Sequence, residues 1–217
     1  RIVGRVLEAE CRAPFEEFLR KPDLNPQQAA FVRQFSPVEH STRIEPLVHR
    51  WIRGRDIVAL LVILQRMLRE QDADVIGTQE LFSEQGEYLA TQMPEYAWFG
   101  RGRESDGGGE HMGVFYRRNR LRVIESGDFW LSDTPEVPGS ITWGHPHPRM
   151  VTWALFETTA EGRRFYLFNT HLPYRGEDED ARLRGAQAIA RRVRALPEDV
   201  PVVLTGDFNT TPESRAH

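Results

Sequence analysis

Three short apolar runs in this chain each end in polar side chains. DVIGTQE finishes in Gln79 and Glu80, FYLFNTH in Asn169, Thr170 and His171, and VVLTGDFN in Asp207 and Asn209. Apolar runs this short, bounded by turn residues, suit buried strands. Stretches with helical spacing lie between them, so the chain alternates strand and helix patterns and is expected to be of the α/β class. Strand ends are where loops line a cleft while the scaffold stays rigid. Polar residues at strand ends also simply meet water, so the residue types decide. Glu, His, Asp and Asn together form a hydrolytic inventory, whereas solvated strand ends usually carry Lys, Ser and Thr as well.

Helices are expected over 55–70, where Ile57, Leu60, Leu61, Leu64 and Leu68 recur at helical spacing, over 83–93 with Ser83 as cap, and over 178–196. Strands are expected over 96–99, 113–116, 121–131, 150–157, 164–171 and 200–205. Residues 1–50 read weakly, as a strand at RIVGRVL and short amphipathic helices at PFEEFLR and PQQAAFVRQF. No proline-rich or glycine-serine linker divides the 217 residues, so a single domain is expected over 1–217. The longest apolar stretch, 57–64, is far too short to span a bilayer. One cysteine, Cys11, excludes an internal disulfide framework. No signal peptide is visible and the chain starts at Arg1, which leaves open a cytoplasmic protein or an exported one with a trimmed leader. A soluble monomer is expected. The formal charge of −4 argues against gripping nucleic acid by bulk positive charge. Arginine outnumbers lysine 27 to 1; guanidinium forks suit phosphate, but a composition bias explains that ratio equally well.

The strand-end inventory suits phosphoester hydrolysis. Glu80 can hold one hard divalent cation, because Mg²⁺ takes one or two carboxylates plus waters and substrate oxygens. Asp207 can orient or deprotonate the attacking water, while Asn209 and His171 donate hydrogen bonds to charge developing on phosphate. There is no zinc-spaced Cys/His cluster, Gly-x-Ser-x-Gly elbow or P-loop, so serine-hydrolase and nucleotide-triphosphatase readings have no anchor.

Six words occur in a characteristic order: IGTQE at 76–80, GEHMGVFYR at 109–117, GDFWLSDTPEVPGS at 127–140, PRMVTWA at 148–154, NTHL at 169–172 and LTGDFNTTP at 204–212. Together they resemble the endonuclease/exonuclease/phosphatase superfamily, and GDFWLSDTP and PGS look closest to a bacterial branch of it. The resemblance implies a four-layer α/β sandwich of two packed mixed sheets flanked by helices, and Mg²⁺ or Mn²⁺ dependence. It implies Glu80 as metal ligand, His171 as the histidine on the scissile phosphate with Glu110 as its partner, and Asp207 and Asn209 as the residues that position water and phosphate. Arg149 resembles an arginine that contacts substrate phosphate, and Asn169 is expected to bind substrate with it.

Two features depart from the family pattern. Nothing in 1–50 matches the family's first-strand asparagine, since Asn25 sits in a PDLNPQ turn, and no SDH-like word follows GDFNTTP before His217. A fragment, lacking family segments at both ends, is therefore expected. GHPHP at 144–148 is read as a surface or substrate loop, and the acidic 176–182 run as a helix start. GRGRESDGGGEHM at 100–112 reads as a hairpin loop able to receive phosphate. In GDFW, Asp128 is expected to face solvent and Trp130 to pack. The expected function is metal-dependent phosphoester hydrolysis, with a phosphodiesterase or nuclease ahead of a phosphatase or phospholipase-type enzyme. The alternative from another class is a non-catalytic binding domain.

Overall fold

The computed structural model describes residues 65, 69–211 and 214–215, and the unit Ala73–His217 is the one considered below. The elements expected within 1–50, Asn25, and nearly all of the 55–70 helix lie outside the described residues. The elements run β1 (Val75–Gly77), α1 (Ser83–Gln92), β2 (Tyr96–Phe99), β3 (Val114–Arg117), β4 (Leu121–Trp130), β5 (Met150–Thr158), β6 (Arg164–His171), a 3₁₀ turn (Gly176–Asp178), α2 (Glu179–Arg194) and β7 (Val202–Asp207).

Among the described residues these strands form two sheets, β1-β3-β2 and β4-β5-β6-β7. All pairs are antiparallel except β6 and β7, which α2 joins and which run parallel; a parallel pair needs such a crossover. The 83–93 helix starts one residue earlier than its cap residue suggested. Phe82 is the cap position, and its N–H donates to the Gln85 side chain at 3.0 Å.

Alternation along each strand decides what lies between the sheets. Val114, Leu121, Ala154, Phe156 and Leu167 form one buried cluster joined by Val75, Phe99 and Val203, so the two sheets pack face to face. The opposite face of the larger sheet buries Phe129, Val151 and Phe168 against Ile189 of α2. On the outer face of the smaller sheet, Gly86 of α1 lies so close to Trp98 that an added Cβ would stand 2.7 Å from the indole. The order α1, sheet, sheet, α2 is the expected four-layer α/β sandwich.

One strand changes face midway. β4 pairs with β5 through a register shift between Val123 and Glu125, and the extra residue of a bulge moves every later side chain to the other face. Trp130 is thereby buried with Met112 and Met150. Asp128, expected to face solvent, is instead half-buried and accepts the Thr152 hydroxyl at 2.7 Å. Burial raises its pKa, a rise that this hydrogen bond opposes.

Candidate functional site

The alternation that places Leu167 between the sheets sends Asn169 and His171 the same way. Asn169 is 0% exposed. Its amide nitrogen donates to Thr78 O at 2.8 Å and Gly113 O at 3.1 Å, and its oxygen accepts from Gln79 Nε2 at 2.7 Å and Thr205 Oγ1 at 2.9 Å. A carboxamide offers two donors and two lone pairs, so no atom is left for a ligand. Asn169 is therefore a clip between the sheets, which corrects its expected role in substrate binding. The glycine of IGTQE serves the same contact: a Cβ on Gly77 would lie 2.3 Å from Thr205 Oγ1 and 2.5 Å from Asn169 Oδ1.

Two residues further along β6, His171 stands opposite Asp207 of β7. His171 is buried, and its Nε2 lies 3.8 Å from Asp207 Oδ2, longer than a hydrogen bond. The Asp207 side chain is 52% exposed. Its Oδ1 accepts from the backbone N–H of Asn209 at 2.9 Å, an Asx-type turn. Asn209 adopts φ +47°, a left-handed conformation that asparagine tolerates, and its amide nitrogen donates to Leu172 O at 3.0 Å. The backbone N–H of Asn209 thus fixes the Asp207 carboxylate, and one of its two amide donors is engaged by Leu172 O while the second has no protein partner among the described residues.

Glu80 follows β1 with φ +57°, an unusual conformation for glutamate and of the kind that clusters at functional sites. Burial is the first cause raising its pKa, followed by the Glu110 and Asp207 carboxylates, while Arg149 and Arg103 pull it down. Much of Glu80 still meets water, which moderates these effects. Arg149 is buried, its backbone carbonyl fixed by Leu131 N–H at 2.7 Å and its Cζ 6.0 Å from the Tyr174 ring centre. Burial and the neighbouring Arg103 charge lower its pKa, against the pull of Glu110, Glu80 and Asp207. Glu110, expected beside His171, accepts instead from Arg103 Nη1, and His171 Nδ1 has no partner. Reading along the sequence missed Arg103, although it marked the 100–112 loop as a phosphate receiver. Trp130 supports that loop by donating its indole N–H to Arg103 O at 2.7 Å.

Among the described residues no group of three or more His, Cys, Asp and Glu side chains encloses a metal. The donor set fits the more open kind of site, in which one carboxylate holds Mg²⁺ with water and substrate oxygens. Glu80, whose charged form the Glu110 and Asp207 carboxylates disfavour, is where a cation would relieve repulsion. In the GHPHP loop His145 is buried and its Nδ1 lies 2.7 Å from His147 O. The acidic run starts a helix as expected, with Asp178 held by Arg175 at 2.6 Å and Glu179 and Asp180 in the first turn of α2.

Burial, then the charges of Arg149 and Arg103, lower the His171 pKa from 6.5 to about 3. The imidazole is neutral at pH 7 and offers a neutral N–H. An unfolded chain protonates this histidine near 6.5 and the folded one only near 3, so the unfolded state binds more protons between those values. Stability therefore falls as pH drops through that window, by at most about 1.4 kcal/mol per pH unit from this group. His171→Gln is expected to flatten that loss, which urea midpoints at pH 7 and pH 5 measure.

The model of the endonuclease/exonuclease/phosphatase family matches residues 48–217. A family member from Bacteroides thetaiotaomicron is 36% identical, with a TM-score of 0.64 over 69% of this chain and 54% of that one. A mannosyl-6-phosphatase of the same organism is 33% identical, with a TM-score of 0.68 over 72% of this chain and 58% of that one. Tyrosyl-DNA phosphodiesterase 2 from Danio rerio is 24% identical over 136 residues, 63% of this chain and 32% of the relative. The chain thus spans about a third of that relative's length and little over half of each solved one.

Proposed function

The chain belongs to the endonuclease/exonuclease/phosphatase family, and from that premise we propose that it hydrolyses a phosphoester with the aid of Mg²⁺ or Mn²⁺. The observation that carries this reading is the register placing His171 opposite Asp207, in an electrostatic neighbourhood shared by Glu80, Glu110, Arg103 and Arg149.

Glu80 would hold the cation, which when bound polarises the phosphoryl oxygens and stabilises the leaving oxygen. Asp207, fixed by the Asn209 N–H, orients the attacking water and takes its proton as the new P–O bond forms and the bond to the leaving oxygen breaks. Neutral His171 donates to a non-bridging oxygen, and Arg149 binds the phosphate charge.

The charge balance favours a phosphodiester. Arg103 and Arg149 are outnumbered by Glu80, Glu110, Asp207 and Glu104, which pairs with Arg103 at 3.5 Å. A divalent cation would offset that surplus, and so weakly compensated a site suits the single negative charge of a diester better than the double charge of a monoester. Nucleic acid is one such substrate, although the overall charge of −4 offers it no extended grip. The likeness to a mannosyl-6-phosphatase favours a second reading, a phosphomonoester.

Assays of the full-length protein on bis(p-nitrophenyl) phosphate, p-nitrophenyl phosphate, plasmid DNA, RNA, sphingomyelin and sugar phosphates separate these readings. Hydrolysis of diesters with Mg²⁺, lost in EDTA and restored by Mg²⁺ or Mn²⁺, is expected. Inactivity on every substrate would instead identify a binding domain.

A further inference from the structure

The loop between β2 and β3 is built around Arg103. Its backbone N–H donates to Glu110 O at 3.0 Å and its carbonyl accepts the Trp130 indole N–H. Gly102 permits the tight approach on one side, since a Cβ there would lie 2.1 Å from Gly108 O. The side chain is driven inward, and the residue is only 8% exposed. One guanidinium nitrogen, Nη1, donates to Glu110. Another, Nε, is buried with no hydrogen-bond partner; the nearest carboxylate oxygen on Glu104 is 3.5 Å away.

Arg149 has the same peculiarity. It is 4% exposed, its Nη1 is buried without a partner, and it forms no ion pair among the described residues. Consecutive residues hold the two backbones: the Trp130 indole N–H donates to Arg103 O and the Leu131 N–H to Arg149 O, each at 2.7 Å, while the pairing of Val151 with Thr170 brings the start of β5 to the His171 end of β6. Two buried cations with unsatisfied donors destabilise a fold unless an anion joins them. Glu110 and, at 3.5 Å, Glu104 offset the Arg103 charge, but among the described residues only Nη1 is hydrogen-bonded and Nε is left without a hydrogen-bond partner. The remaining guanidinium donors suit the oxygens of a phosphoryl group, which a planar guanidinium fork engages well.

We propose that Arg103 is a second phosphate-binding residue, acting with Arg149 on the phosphoryl group that enters the site. This rests on the phosphoester reading of the site, but its test needs no turnover.

Inorganic phosphate is the probe, titrated calorimetrically into the full chain. Arg103→Ala is expected to weaken phosphate binding roughly 10- to 100-fold, the loss of a charge-assisted hydrogen bond. Arg103→Lys should recover only part of the affinity, because an ammonium lacks the fork. Arg122→Ala, an exposed arginine at the start of β4, the end of that strand away from Trp130, should leave the affinity within about twofold, as expected for a surface position away from the loop. If Arg103→Ala does not fold, Arg103→Gln, which keeps a donor for Glu110 but drops the charge, decides in its place. Wild-type phosphate affinity in a folded Arg103→Ala or Arg103→Gln protein overturns the assignment and leaves Arg103 as a brace for Glu110. Phosphate binding that depends on Arg103 in a protein that cleaves no phosphoester supports the residue's role and overturns the reaction instead.

Discussion

Asp207→Ala is expected to lower kcat by roughly 10²- to 10⁴-fold on any phosphoester the protein cleaves, the range for a lost general base. The fold should be nearly indifferent. The Asp207 side chain is half exposed, and its one hydrogen bond among the described residues comes from the Asn209 N–H, which water reaches once the carboxylate is gone. A surface change of this kind usually moves stability by about 0.5 kcal/mol or less. Asp207→Asn is the sharper version: it keeps an oxygen for the Asn209 N–H but is too weak a base to take a proton, so turnover should fall as far. Steady-state kinetics beside thermal unfolding of both variants test this. Wild-type-like turnover in either would remove Asp207 from the chemistry and, with it, the meaning given to the His171 register.

The strand-end part of the candidate site was legible because its residues end apolar runs. IGTQE, NTHL and GDFN each place polar side chains where a strand leaves the core, and period-two alternation then fixes which of them share a face. Strand and helix positions followed from the same patterns, so β2 and β6 match expectation to the residue. What remained hidden depended on contacts between distant segments. Asn169 reads like a binding residue beside His171, yet its four partners come from around β1, the start of β3 and β7. Asp128 was placed on the wrong face because the bulge near Ile124 leaves no mark in VIESGDFW that separates it from plain alternation. Arg103 is one of many arginines in the chain. Only its burial against Glu110, in a loop supported by Trp130, distinguishes it.

Asn169→Ala is expected to produce the largest loss of stability, about 3 kcal/mol, because it removes four hydrogen bonds at the contact between the sheets. Thr78 O loses its Asn169 donor and Gln79 Nε2 its acceptor; Gly113 O keeps the Thr78 N–H at 2.8 Å and hydroxyl at 3.0 Å, and the Thr205 hydroxyl keeps only Phe168 O at 3.4 Å. For a domain of this size that corresponds to a fall of roughly 10 °C in Tm. Well below the new Tm, kcat should fall far less than in Asp207→Ala, since neither His171 nor Asp207 depends on this amide for a hydrogen bond. Asn169→Asp discriminates further. Its carboxylate still accepts from Gln79 and Thr205, but its second oxygen faces two carbonyls and repels them. Stability should therefore be lost at neutral pH and partly recovered as the medium is acidified, when the protonated carboxyl can donate to one of those carbonyls. A denaturation midpoint for Asn169→Asp that stays level or falls between pH 7 and pH 5, relative to the wild-type midpoints measured in parallel, would show that the clip does not hold the sheets together as its four hydrogen bonds indicate.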